Sequence, residues 1–259
     1  MSFTLVTALI NINRENWKNF DRKWEQYLTY MSNILKMDVP MCIYIEENLL
    51  EFVSNHRKNF EQTKIVLIKI DDYKIYEKLE KIQNIQNSDK YKNLCVDKFC
   101  PEVCIPLYNI TVNNKVDFLF KTAKDNPFIT DKFIWLDAGY GHCKFNIPDK
   151  YKWDPKMYLE LADKNKIVIN TLLDKPCNEN YLDFFIEHED FIDGGLVVGN
   201  KETIIKFHEI YYNLINEIID KDIIDDDQYF MTMAYINNKD MFNLVKIPSW
   251  EYRKNIILS

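Results

Sequence analysis

The stretch Asp131-Lys132-Phe133-Ile134-Trp135-Leu136-Asp137-Ala138-Gly139 decides the fold. An apolar run, Phe133 to Leu136, stops abruptly at an acid, and two small residues follow. A short continuous apolar run reads as a strand buried on both faces, and small residues after it read as a tight turn. Strands buried on both faces belong to parallel sheets covered by helices. In open α/β sheets, ligands bind outside the carboxyl ends of the strands. Asp137 therefore stands at a strand end where it either meets a ligand or caps the next turn.

Working outward, strand-like and helix-like runs alternate. Phe3 to Ile10 reads as a first strand, Met41 to Ile45 as a second and Lys64 to Ile68 as a third. Between the first two, Trp17, Phe20, Trp24, Tyr27, Leu28, Met31 and Leu35 fall on one face of a long helix, an aromatic stripe that reads as core. Val116, Leu119, Phe120 and Ala123 mark the helix that leads into the Asp137 strand. Further on come Ile167 to Asn170, the glycine-rich Asp193 to Gly199, a helix from Lys201 to Asp220, another from near Asp226, and a late strand from Phe242 to Ile247. His208 lies on the apolar side of its helix and reads as a hydrogen-bonded core histidine. With no internal repeat or flexible linker, residues 1–259 read as one α/β domain with a mainly parallel sheet and helices on both faces.

Bulk properties narrow the function. At 259 residues and 47% hydrophobic, the chain can bury a full core. A net charge of −7 and only four arginines argue against a nucleic-acid partner. No run reaches the roughly 20 apolar residues of a membrane span, and the N-terminus lacks a basic leader, so a cytoplasmic protein is expected. Cys95, Cys100 and Cys104 lack zinc spacing and read as reduced thiols. The aromatic-rich surface allows a homodimer.

Four features carry candidate chemistry. The first strand ends in Thr7-Ala8-Leu9, with Asn11, Asn13 and Arg14 beyond, a setting able to hold a base and ribose. Asp137 comes next. Transfer from a nucleotide donor requires neutralisation of a leaving diphosphate, by a divalent ion or by cationic side chains. The common device is an Asp-x-Asp pair, but here Gly139 holds the second position. Mn²⁺ or Mg²⁺ could bind through Asp137 with His142, whereas Arg14, Arg57 or Lys115 could serve without a metal. Third, Gly194 and Gly195 permit close approach of a ligand, or form a β-bulge. Fourth, Asp225-Asp226-Asp227-Gln228 opens a helix; its acids suit the helix dipole, and one could act as general base or orient an acceptor hydroxyl.

Thr4-Leu5-Val6-Thr7-Ala8-Leu9 with Arg14 and Trp17, then Phe133 to Gly139, Gly194-Gly195 and Asp226-Asp227-Gln228, resemble the WlaTC/HtrL/YibB glycosyltransferase family in order and approximate spacing. The resemblance implies a GT-A type fold, a nucleotide-sugar donor and a glycan acceptor. By that analogy Asp137, with Ala138 and Gly139, occupies the metal or ribose position, Gly194 and Gly195 line the donor sugar or acceptor, and Asp226 or Asp227 faces the reacting centre. The reading is a transferase acting on a nucleotide sugar, with UDP preferred. A sugar-nucleotide or glycan-binding module without turnover is the alternative. A sugar nucleotidyltransferase fits less well, because residues 9–16 contain no glycine for a triphosphate loop.

Overall fold

A computed structural model describes residues 2–17, 22–140, 147–187 and 189–258. Seven strands form one sheet: β1 (Phe3–Leu9), β2 (Met41–Ile45), β3 (Thr63–Leu67), β4 (Lys132–Leu136), β5 (Ile167–Thr171), β6 (Ile192–Asn200) and β7 (Phe242–Lys246), in the order β3-β2-β1-β4-β6-β5-β7. The first four strands run parallel; β6 is antiparallel to β4 and β5, and β7 is parallel to β5. The sheet is thus mostly parallel, as expected from its continuous apolar strands.

The period of two along each strand divides the core. On β4, Phe133 and Trp135 enter one apolar cluster, together with Val6, Tyr44, Phe118 and Phe230. Ile134 and Leu136 enter the other, with Leu5, Ile43, Met31 and Val198. Helices Lys115–Asp125, Lys201–Asp220 and Asp227–Asn237 cover the first face, and helices Trp24–Leu35 and Lys156–Ala162 lie over the second. Among the described residues, no helix is long and apolar enough to cross a membrane.

The helix Lys201–Asp220 has the bounds its pattern predicts, because Asn200 caps it through the Thr203 amide at 2.9 Å. His208 is the core histidine expected, 3.0 Å from Asp117 and stacked on Phe120. The first helix is shorter than expected. It starts at Trp24, after a 3₁₀ turn at Arg14–Asn16 entered through Asn13 at φ 55°; Trp17 ends that turn, and Phe20 lies outside the described residues. In its first turn Trp24 and Tyr27 are half-buried: they pack on the edge of the second core cluster and also line a cavity.

Arg57 corrects another expectation. Its guanidinium is buried against the sheet edge, donating to the carbonyls of Leu35, Met37 and Val39 and to Thr63 Oγ1. It closes the orphan end of helix Trp24–Leu35 and the turn into β2. Burial brings its pKa down to about 10, still charged at neutral pH. Arg57→Ala is expected to cost about 3–5 kcal/mol by stranding these acceptors. Urea unfolding checks the loss, and ligand affinity of the folded variant should match wild type.

Candidate active site

The chain leaves β1 for β2 and β3 on one side and reaches β4 on the other. That reversal makes a switch point, the place where a parallel sheet opens a crevice. A cavity of about 520 Å³ lies there, bounded by the end of β1 and the residues after it (Ala8 to Ile12), the end of β4 and the turn after it (Trp135, Asp137, Ala138, Gly139) and Gly194-Gly195 of β6. The starts of helices Lys115–Asp125 and Asp227–Asn237 close it from one side, and Trp250 and Arg253 from another.

At its floor Lys115 is clamped by three groups. Its Nζ lies 3.0 Å from Asp137 Oδ1, 2.7 Å from Asp227 Oδ2 and 3.0 Å from the Gly194 carbonyl. Lys115 and Asp227 side chains are each 6% exposed, whereas Asp137 is 36% exposed and meets the cavity. Burial alone would push the ammonium down, but Asp137 and Asp227 outweigh it and hold its pKa above the ordinary lysine value. Asp227 is raised, by burial first and by Asp137, against the opposing pull of Lys115. Trp135 Nε1 donates to Asp137 Oδ1 at 2.7 Å, and the Asp137 amide donates to Gly195 O at 3.0 Å, so backbone and side chain are both fixed.

The glycines serve as bulge and contact at once. Where β6 pairs with β5, the register jumps from Ile169↔Val197 to Asn170↔Asp193, leaving residues 194–196 outside that ladder. A Cβ on Gly194 would sit 1.8 Å from Asp227 Oδ2, so only glycine lets that carboxylate reach Lys115. Beside it, buried Asp193 accepts from Arg253 Nε at 3.0 Å and from Arg253 Nη2, and also from the Gly195 amide at 2.9 Å. Arg253 lies over the rings of Trp250 (4.1 Å) and Tyr140 (5.3 Å).

Of the residues singled out in the sequence, Ala8, Arg14, Asp137, Ala138, Gly139, Gly194, Gly195, Asp227 and Gln228 line the cavity. Thr7 does not; it points from β1 into the buried interior one residue away from Ala8. Arg57 lies in its own carbonyl nest. Asp226 is parted from Asp227: its Oδ1 caps the helix through the amides of Gln228 (2.9 Å) and Tyr229 (3.3 Å). It lines a neighbouring cavity of about 290 Å³, and burial, then Asp227 and Asp225, raises its pKa well above the carboxylate range. Arg14 stands between the cavities with its guanidinium near Trp17, Tyr27 and Tyr108. The sequence reading passed over Arg253 and Arg22, both of which line the main cavity.

The described carboxylates of the site are engaged by a cation of the chain itself. Asp137 and Asp227 already share the Lys115 ammonium, and Gly139 brings no side-chain oxygen. Among the described residues, no group of three or more His, Cys, Asp or Glu side chains converges as a metal site. His142 lies outside the described residues.

The same arrangement of strands and helices is found in a solved structure. The structure is similar to mouse xyloside xylosyltransferase 1 in its apo form, with a TM-score of 0.51 at 12% identity over 95% of this chain and 85% of that one. In sequence it is 27% identical over 258 residues to Protein HtrL of Escherichia coli (strain K12), covering 94% of this chain and 87% of the relative. The family model described as "Bacterial protein of unknown function (HtrL_YibB)" matches residues 1–252. The motifs from Thr4 to Gln228 pointed to this group, and the chain belongs to the HtrL_YibB family.

Proposed function

We propose that the protein is a glycosyltransferase that moves a sugar from a nucleotide-sugar donor, a UDP-sugar by preference, to a hydroxyl of a glycan acceptor. The observation that carries this reading is the placement of Asp137. It is a partly exposed carboxylate at the β1/β4 switch point, fixed by Trp135 and Lys115, in a cavity with aromatic walls and cationic side chains. Asp137 would accept from a donor hydroxyl and hold Lys115 toward the diphosphate. The buried Tyr73 hydroxyl in the same wall has no hydrogen-bond partner among the described residues, and a base edge would satisfy it.

In the transfer step the acceptor oxygen bonds to the anomeric carbon. The bond from that carbon to the phosphate oxygen breaks, and its electron pair leaves with the nucleoside diphosphate. Asp227 would take the acceptor proton, and its raised pKa favours it as a base over an ordinary aspartate.

Thermal melts with UDP, GDP, CMP and dTDP test the donor reading. One of them, at 100 times its Kd, should add about 2.7 kcal/mol, a rise of several degrees. Release of free nucleoside diphosphate from the matching nucleotide sugar then separates an enzyme from a binding module. Tight binding with no transfer or hydrolysis across acceptors would favour the module.

A further inference from the structure

The chain carries 33 basic residues, of which four are arginines: Arg14, Arg22, Arg57 and Arg253. Arg57 spends its fork on backbone carbonyls. The other three all line the main cavity, and Lys115 is the one lysine among the described residues that does so. Positive charge in this protein is otherwise supplied by lysine. Arginine is used where a planar, five-donor fork matters, as it does for carboxylates and phosphates. The charged lining groups are Arg14, Arg22, Lys115 and Arg253 against Glu15, Asp137 and Asp227, and with Asp193 paired behind Arg253 the site is about neutral on a chain of net charge −7.

Arg253 is the best prepared of these cations. It is 9% exposed, its Nε and Nη2 are held by Asp193, and Trp250 and Tyr140 fix its plane. Its Nη1 has no protein partner among the described residues, and the side chain borders the cavity beside Gly194 and Gly195. The carboxylates that would otherwise collect a metal are committed to Lys115.

We infer that Arg253 binds the diphosphate of the donor, with Lys115 and Arg14 beside it, so that donor binding requires no divalent cation. The inference rests on the nucleotide-sugar reading above. When the bond to the sugar breaks, the negative charge gathering on the departing phosphate oxygen faces a rigid guanidinium rather than an ion.

Calorimetric titration of UDP into the EDTA-treated protein, repeated with Mn²⁺, tests it. The two affinities should agree within about twofold, since the cation supply is built in. Arg253→Gln alone would strand buried Asp193, so it is paired with Asp193→Asn to keep a neutral hydrogen-bonded couple. The double variant should melt near wild type yet bind UDP at least about thirtyfold more weakly, as expected for loss of a charge-assisted bond. Arg253→Lys should recover part of that loss. A gain of more than about tenfold on adding Mn²⁺, or wild-type affinity in the double variant, would overturn the inference while leaving the donor reading standing. Failure of all four nucleotides to bind, with or without Mn²⁺, would remove both.

Discussion

Lys115→Met is expected to lower folding stability by about 3–5 kcal/mol, the range for a buried ion pair stripped of one partner. The variant should melt on the order of 10 °C lower and lose measurable donor binding. The ammonium is the common partner of Asp137, Asp227 and the Gly194 carbonyl, so its removal leaves the nearly buried Asp227 carboxylate uncompensated. Asp227 already has a raised pKa with Lys115 present, and without it the rise must be larger. A carboxyl whose folded pKa is raised binds its proton more readily in the folded state, so the penalty appears as pH rises through that pKa and fades as pH falls. The variant should therefore approach wild-type stability in acid. Adding Asp227→Asn should return most of the stability at neutral pH without returning donor binding. Melting curves across pH on the three proteins decide it. A Lys115→Met protein as stable as wild type at neutral pH would mean that the ion triad does not hold the site together.

Much of this architecture was legible because local signals and tertiary demands agreed. Phe133 to Leu136 is apolar at every position because β4 is central and covered on both faces. Asn200 and Asp220 bracket a helix whose cap is visible in the sequence. The misses arise where a side chain's role depends on what lies far along the chain. Trp24 and Tyr27 keep the helical spacing of core residues and do pack on the core's edge, but periodicity cannot report that their other side lines a cavity. Arg57 sits in the polar run Ser54-Asn55-His56-Arg57-Lys58, which looks like solvated surface, and its carbonyl partners at 35, 37 and 39 belong to another element. Arg253 lies 60 positions from Asp193 and carries no motif of its own. The rarity of arginine was the one signal that could have found it. Strand parity could not have set Thr7 aside, since Leu9 on the same face of β1 lines the cavity; Thr7 is excluded only by lying deeper in the strand.

Asp137→Ala, by contrast, should leave the fold nearly intact while removing turnover. Asp137 is partly exposed, and its loss leaves Lys115 still bound to Asp227 and to the Gly194 carbonyl. Trp135 Nε1 loses an acceptor but borders the cavity, where water can replace it. A stability cost of about 1–2 kcal/mol follows, well below that of Lys115→Met. Turnover should nevertheless fall steeply. If Asp137 receives a donor hydroxyl and aims the ammonium at the diphosphate, its removal both misplaces the anomeric carbon and frees Lys115 to follow Asp227 away from it. Misplacement and lost charge stabilisation together should lower kcat by at least about 10³. Asp137→Asn keeps the size and one acceptor oxygen, so it should retain more donor affinity than the alanine variant but little more turnover. Stopped assays of nucleoside diphosphate release, read beside melting curves, separate these effects. A folded Asp137→Ala protein with wild-type turnover would remove Asp137 from the reaction, and with it the placement of the reacting centre at the end of β4.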